Sequence, residues 1–273
     1  MANTIAVYNL KGGVGKTSTT LSLAHSWSRT YKILLIDCDP QANLSQALLG
    51  EDAIDNELSL YRITKKLLHN SVPDLEPIKI HPYLDLVPGD FKMSGIELNS
   101  QFISFGHSIV YRLMSLVKSK YDLIILDFPT HFGMTVKSFI ANIDSILIPA
   151  IPDSFSASGF KQLLNYLAEV KKEKPLNILG IFFNQFRRST IYHNEVISEA
   201  EQTFGSLILN QRVRQSIKVS EANNATLPIY SLMEEGNDVA GDFLKLSEEV
   251  IGRLNTSNLD EVLEILDTEE NIG

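Results

Sequence analysis

Residues 9 to 20, Asn-Leu-Lys-Gly-Gly-Val-Gly-Lys-Thr-Ser-Thr-Thr, constrain this chain more than any other stretch. Before them runs Thr4-Ile5-Ala6-Val7-Tyr8, an apolar and β-branched segment that reads as a buried strand. After them, Leu21, Leu23, Ala24 and Trp27 recur at near-helical spacing, which predicts a helix over Thr17 to Ser28. A strand, a glycine-rich turn, Gly-Lys-Thr and a helix together form a phosphate-binding loop. Backbone N–H groups of such a turn curl around phosphate oxygens, and the helix start adds its own unpaired N–H groups. The cradle is expected to run through Lys11, Gly12, Gly13, Val14, Gly15, Lys16, Thr17 and Ser18. Lys16 brings a point charge to the outer phosphates of a nucleoside triphosphate, and the Thr17 hydroxyl can hold Mg²⁺.

The loop departs from the common G-x-x-x-x-G-K-[ST] pattern, because Leu10 stands where its first glycine belongs and Lys11 is a surplus cation. Lys11-Gly-Gly-Val-Gly-Lys-Thr17 resembles the deviant phosphate loop of the ParA, MinD and nitrogenase-iron-protein group of ATPases. The resemblance implies ATP as the nucleotide. It also implies that Lys11 reaches across the interface of an ATP-dependent homodimer to the partner's ATP, with Lys11, Lys16 and an aspartate serving hydrolysis.

That aspartate follows the second strand, Lys32 to Asp37, in the loop Asp37-Cys38-Asp39-Pro40-Gln41-Ala42-Asn43. An acid-rich loop at a strand's carboxyl end is where open α/β sheets place ligand chemistry. The Asp-x-Asp-Pro-Gln order resembles ParA rather than MinD, which makes Asp39 the residue expected to act on the attacking water. A bland alternative is that these carboxylates only cap the next helix.

Tyr121 to Asp127 is the clearest strand, and its closing aspartate, Asp127, is the expected Mg²⁺ residue beside Thr17. The family continues with two prolines, whereas this chain has Pro129-Thr130, which leaves the shape of the following loop open. Further strands are read at Leu84–Val87, Ser145–Pro152 and Leu176–Phe183, with a short one among Pro73, Pro77 and Pro82, and the resemblance implies a variable helical region after Asp90. Helices are read at Leu58–Leu68, Gly159–Val170, Ile191–Phe204 and Asp238–Leu254. By resemblance, Asn184 contacts adenine. Strands alternating with helices predict an α/β fold, a doubly wound and mostly parallel sheet with helices on both faces, as one domain over 1–254.

The 273 residues carry 24 Lys plus Arg against 33 Asp plus Glu, a net charge of −9, so any nucleic-acid contact must come from a local patch. Arg212, Arg214 and Lys218 lie in a stretch, Gly205 to Ser220, without an acid, and Arg187 and Arg188 lie in an earlier loop. Arg214 to Ala222 resembles the ParA segment that carries cations for nonspecific double-stranded DNA. An ordinary solvated face is the alternative. The resemblance further implies a ParB-like partner that stimulates hydrolysis, and a place on the nucleoid.

No apolar run approaches the roughly 18 residues of a membrane span, and the phosphate loop begins too early for a signal peptide, so the cytoplasm is expected. The acidic tail, 255–273, with Leu259, Val262, Leu263 and Leu266 as an apolar stripe, would be repelled from anionic lipid, unlike the basic end of MinD. The lone Cys38 cannot supply the cysteine pair that an iron-protein-like reductase needs, and the tail has no tyrosine cluster of the kind carried by related bacterial tyrosine kinases.

Overall fold

The structure, a computed structural model, describes residues 1–50, 57–73, 75–170, 176–224 and 238–254. The acidic tail and Pro228 lie outside the described residues. In chain order the elements are β1 (Asn3–Val7), α1 (Lys16–Trp27), β2 (Ile33–Asp37), α2 (Asn43–Leu49), α3 (Leu60–Leu68), β3 (Ile78–His81) and β4 (Leu84–Val87). There follow α4 (Met93–Ile96), α5 (Ser100–Val117), β5 (Leu123–Asp127), α6 (Met134–Ile140), β6 (Ser145–Ala150), α7 (Ala157–Val170) and β7 (Asn177–Phe183). The chain continues with α8 (Ile191–Phe204), α9 (Ile217–Asn224) and α10 (Asp238–Arg253).

Among the described residues seven strands form one sheet in the order β3-β4-β2-β5-β1-β6-β7. All neighbours are parallel except the edge strand β3, which runs antiparallel to β4. The expected α/β fold with a mostly parallel sheet is therefore observed. Side chains alternate across it. Leu123 and Ile125 of β5 join Ile5, Val7, Ile33 and Leu35 in a core that packs under α1 and α10. Ile124 and Leu126 join Ala6, Leu34, Ile36 and Ile146 in a second core under α3, α5, α6 and α7. Burial on both faces explains why the strands read as continuous apolar runs rather than alternating ones.

The region after Asp90 contains an 18-residue helix, α5, capped by Asn99, whose side chain accepts from the Phe102 N–H. Leu207-Ile208-Leu209 makes an isolated bridge, Ile181 to Ile208, and the Leu209 N–H donates to the Ile181 carbonyl across 2.7 Å.

The strand order positions the chemistry. β5 lies between β1 and β2, with Val7 and Asp37 both in register with Asp127. Three strand ends, carrying the phosphate loop, the Asp37 loop and Asp127, thus open side by side at the carboxyl edge.

Candidate active site

The loop from β1 to α1 turns on glycines with positive φ, Gly13 at 73° and Gly15 at 87°. Gly15 occupies the N-cap position of α1 with no side-chain cap, so the first N–H groups of the helix are left for an anion. A Cβ on Gly15 would collide with Nδ2 of Asn184, which fixes glycine there on two grounds. Asn9 anchors the entry to the loop, donating from Nδ2 to the Pro149 carbonyl (2.8 Å) and accepting from the Lys11 N–H (3.0 Å). Lys16 is only 8% exposed, and its Nζ donates to the Lys11 carbonyl across 3.2 Å. Burial lowers its pKa, against the pull of Asp127 and Asp39 in the other direction. Lys11 itself is exposed at the rim.

Thr17 and Asp127 are drawn together from α1 and β5, and the Thr17 hydroxyl donates to Asp127 Oδ2 across 2.6 Å. The other oxygen, Oδ1, is buried with no hydrogen-bond partner. Burial first, and then Asp37, holds the Asp127 carboxyl well above the ordinary carboxylate range. A buried carboxylate oxygen with nothing to accept from, beside a hydroxyl, is a hard-oxygen donor set that fits Mg²⁺.

Asp37 does different work from Asp39. Fully buried, it accepts from the Asp39 N–H (3.1 Å), the Ser45 N–H (2.9 Å) and the Ser45 hydroxyl (2.7 Å). Burial raises its pKa to about 6, while these bonds act to lower it. The Gly89 N–H closes the circuit by donating to Ser45 Oγ across 2.8 Å. Asp37 is thus the anchor of the loop, and Asp39, half-buried, is what the loop presents. Asp39 Oδ1 accepts from the Gln41 N–H across 2.9 Å.

Thr130, in place of the family's second proline, lines the cleft opposite Gly12, where a Cβ on Gly12 would come within 3.7 Å of its methyl. The loop beyond it is shaped by Glu97. Its Oε1 accepts from the Thr135 N–H (3.1 Å) at the start of α6 and lies 3.4 Å from His131 Nε2. Sequence reasoning missed Glu97, since it lies in the turn between α4 and α5 and carries no motif.

These groups open on a cleft of about 790 Å³, of nucleotide size. Its walls include Gly13, Lys16, Thr17, Asp39, Thr130 and Asn184. Its far wall is the segment Arg214 to Ile217 with Val219. The stretch read as a DNA face therefore also borders the cleft.

Arg212 and Arg214 of this stretch are held by carboxylates that the acid-free window conceals. Arg214 donates to Asp242 from Nε (2.7 Å) and Nη2 (3.0 Å), with its N–H also on Asp242 (3.0 Å). Arg212 donates to Glu201 across 2.7 Å and lies over the Phe186 ring. Both acids come from other helices, α10 and α8, so spacing along the chain could not reveal them. Arg187 Nε donates to Gln215 Oε1, Arg188 is exposed, and Lys218 is half-buried near the start of α9. The resemblance implies that Asn184 contacts adenine; it lines the cleft, and both of its polar atoms are bonded within the protein. Nδ2 donates to the Val14 carbonyl (2.9 Å), and Oδ1 accepts from the Gln185 N–H (2.9 Å). Gln185, which no motif singled out, donates from Nε2 to the Gly13 carbonyl across 2.7 Å.

A family profile described as an AAA domain matches residues 2–179. A ParA family protein of Chlamydia trachomatis is 32% identical over 256 residues, covering 91% of this chain and 97% of its own length. The chain belongs to the ParA family of P-loop ATPases. Soj of Bacillus subtilis, named a sporulation initiation inhibitor protein, is 30% identical to this ParA-family chain over 256 residues, covering 92% of it and 98% of Soj. The ATP complex of a McdA variant from Cyanothece has the same fold, with a TM-score of 0.77 at 22% identity, over 92% of this chain and 96% of that one. Among the described residues no helix is long and apolar enough to cross a membrane.

Proposed function

We propose that this chain is an ATP-driven partition switch: it binds ATP with Mg²⁺, pairs with a second copy, holds double-stranded DNA without regard to sequence, and lets go on hydrolysis. The observation that carries the reading is the Thr17–Asp127 pair at 2.6 Å beneath the phosphate loop, with Lys16 buried beside it and Asp39 on the same cleft. The names of relatives support the biological setting, since a homologue from Treponema pallidum is named a chromosome-partitioning ATPase.

Backbone N–H groups of 12–17 and the Lys16 ammonium bind the phosphates, and Thr17 with Asp127 hold Mg²⁺. Mg²⁺, when bound, neutralises charge on the β- and γ-phosphate oxygens. Asp39 orients the attacking water. Lys11, exposed at the rim, answers the partner's nucleotide, so hydrolysis depends on dimerisation. Arg187, Arg188 and Lys218 form the DNA face, with Arg212 and Arg214 in structural ion pairs behind it. A ParB-like protein accelerates turnover, and the ATP form resides on the nucleoid.

Asp39→Ala tests the switch. The variant is expected to bind ATP as wild type does, to hydrolyse it at least about tenfold more slowly, and to accumulate as dimer in size-exclusion chromatography with ATP and Mg²⁺. Normal turnover would reduce Asp39 to a cap of its own loop. Lys16→Ala should lose tight nucleotide binding altogether; unchanged affinity would place the nucleotide elsewhere.

A further inference from the structure

The turn after β7 touches the phosphate loop at two successive carbonyls, 170 and more residues away in sequence. Asn184 Nδ2 donates to the Val14 carbonyl (2.9 Å), and Gln185 Nε2 donates to the Gly13 carbonyl (2.7 Å). The assignment of nitrogen and oxygen in Asn184 is fixed by its neighbours, since Oδ1 accepts from a backbone N–H while Nδ2 faces a carbonyl. Asn184 is 5% exposed and packed against the α-carbon of Gly15.

Peptide planarity makes these two bonds more than local braces. A carbonyl and the N–H of the next residue belong to one rigid plane and point in opposite directions. Holding the Gly13 carbonyl on Gln185 turns the Val14 N–H the opposite way, and holding the Val14 carbonyl on Asn184 does the same for the Gly15 N–H. The Gly15 N–H has no acceptor among the described residues, and the Val14 N–H meets only a weak turn contact with the Lys11 carbonyl. Gln185 adopts φ 54°, a conformation that non-glycine residues rarely take, and this lets two adjacent side chains reach the same loop.

We propose that Gln185, acting with Asn184, is a positioning residue for nucleotide binding: it pre-aims the Val14 and Gly15 N–H groups at the phosphates, and its left-handed backbone is the strain that this costs. The proposal rests on the nucleotide reading above and deepens it. A pre-aimed donor needs no reorganisation when the anion arrives, so loss of the clamp weakens binding without touching the reacting atoms.

The test separates aim from fold. Gln185→Met keeps the length and the strained backbone but removes the donor. Gln185→Gly removes the donor and relieves the backbone. Both variants are expected to bind ADP and a non-hydrolysable ATP analogue about five- to tenfold more weakly than wild type, the worth of one hydrogen bond. In turnover assays the loss appears in KM rather than kcat. Without nucleotide, Gln185→Gly should melt at or above the wild-type temperature, so weaker binding there cannot be ascribed to a damaged fold. Wild-type affinity in both variants overturns the clamp and leaves the nucleotide reading standing. Wild-type affinity restored in Gln185→Gly alone also overturns it, because strain and not aim would then be the cause. A wild-type chain that binds neither nucleotide overturns the nucleotide reading itself, and the clamp with it.

Discussion

Thr17 and Asp127, 110 residues apart in the chain, share a 2.6 Å hydrogen bond that leaves the second oxygen of Asp127 buried and without a partner. An orphaned carboxylate oxygen costs about 1–3 kcal/mol when nothing compensates it. The site therefore stores a deficit that a bound cation offsets. Asp127→Asn is expected to leave the nucleotide-free protein as stable as wild type or more so, because the amide carries no charge to desolvate. Its nucleotide affinity should no longer respond to Mg²⁺, where wild type gains at least about tenfold, since a metal oxygen ligand is gone. Calorimetric titration with Mg²⁺ and with a chelator, beside a melting curve, checks both halves.

Gly89 is a second pressure point. A Cβ there would lie 2.9 Å from Asp37 Cγ and 3.0 Å from the Asp39 backbone oxygen. The Asp37 anchor cannot yield without losing its bonds to Ser45 and Asp39, so Gly89→Ala must move the loop that presents Asp39. Overpacking of this kind costs about 1–3 kcal/mol. Urea denaturation should show that loss, and hydrolysis should fall further than ATP binding does.

Much of this site could be read from the chain because its parts are contiguous. The phosphate loop, the Asp-x-Asp-Pro-Gln loop and the strand ending in Asp127 each announce themselves within about a dozen residues, and the parallel sheet then has only one edge at which to gather them. Long-range pairs were not legible. The acid on Arg214 is Asp242, 28 residues on, and the one on Arg212 is Glu201 on α8. The partners of Asn184 and Gln185 lie at the other end of the chain. Such contacts are set by how helices lie on the sheet, which periodicity does not record. The helix α5 is a different case, for Phe102, Ile109, Val110, Leu113, Met114 and Val117 do follow helical spacing. Its Gly106 and the flanking exposed Ile103 and Phe105 blur that stripe.

Two buried groups give the nucleotide-free protein opposing responses to pH. Burial, and to a lesser extent His81, lowers His25 from 6.5 to about 4, so between those values the unfolded chain binds the proton and the folded one does not. Stability from His25 thus rises with pH across that window. Asp37, raised from 3.8 to about 6, does the reverse: the folded chain keeps the proton, and stability falls as pH rises. Asp127, also held above the ordinary carboxylate range by burial, acts in the same direction as Asp37, so in wild type His25 offsets only part of the fall between pH 4 and 6. His25→Gln removes only the first response, so its melting temperature should drop relative to wild type as pH increases through the window. Parallel profiles for the two proteins would show that His25 is not protonated differently on unfolding.

The proposed DNA face calls for a variant that avoids the Arg214–Asp242 and Arg212–Glu201 ion pairs. Replacing Arg214 would strand Asp242, a carboxylate only 7% exposed, and any loss of binding could then reflect a damaged fold. Arg188 and Lys218 do not line the cleft and belong to no phosphate or metal motif. Arg188→Glu with Lys218→Glu is expected to abolish ATP-dependent binding to duplex DNA while nucleotide affinity persists. In a symmetric dimer each change occurs twice, so four attractive contacts become four repulsive ones. With a net charge of −9 the bulk of the protein opposes DNA, and at 0.1 M salt it is screened beyond about 10 Å, so local cations must supply the attraction. Wild-type affinity should be indifferent to sequence and fall with salt, each neutralised phosphate contributing a slope of about −0.9 on a log–log plot. Fluorescence anisotropy on two unrelated duplexes, across a salt series with ATP or ADP, measures all of this. A double variant that binds as wild type does would move the DNA face away from Arg188 and Lys218. A wild type that ignores DNA but sediments with anionic vesicles in ATP would replace the partition reading with a membrane-positioning one.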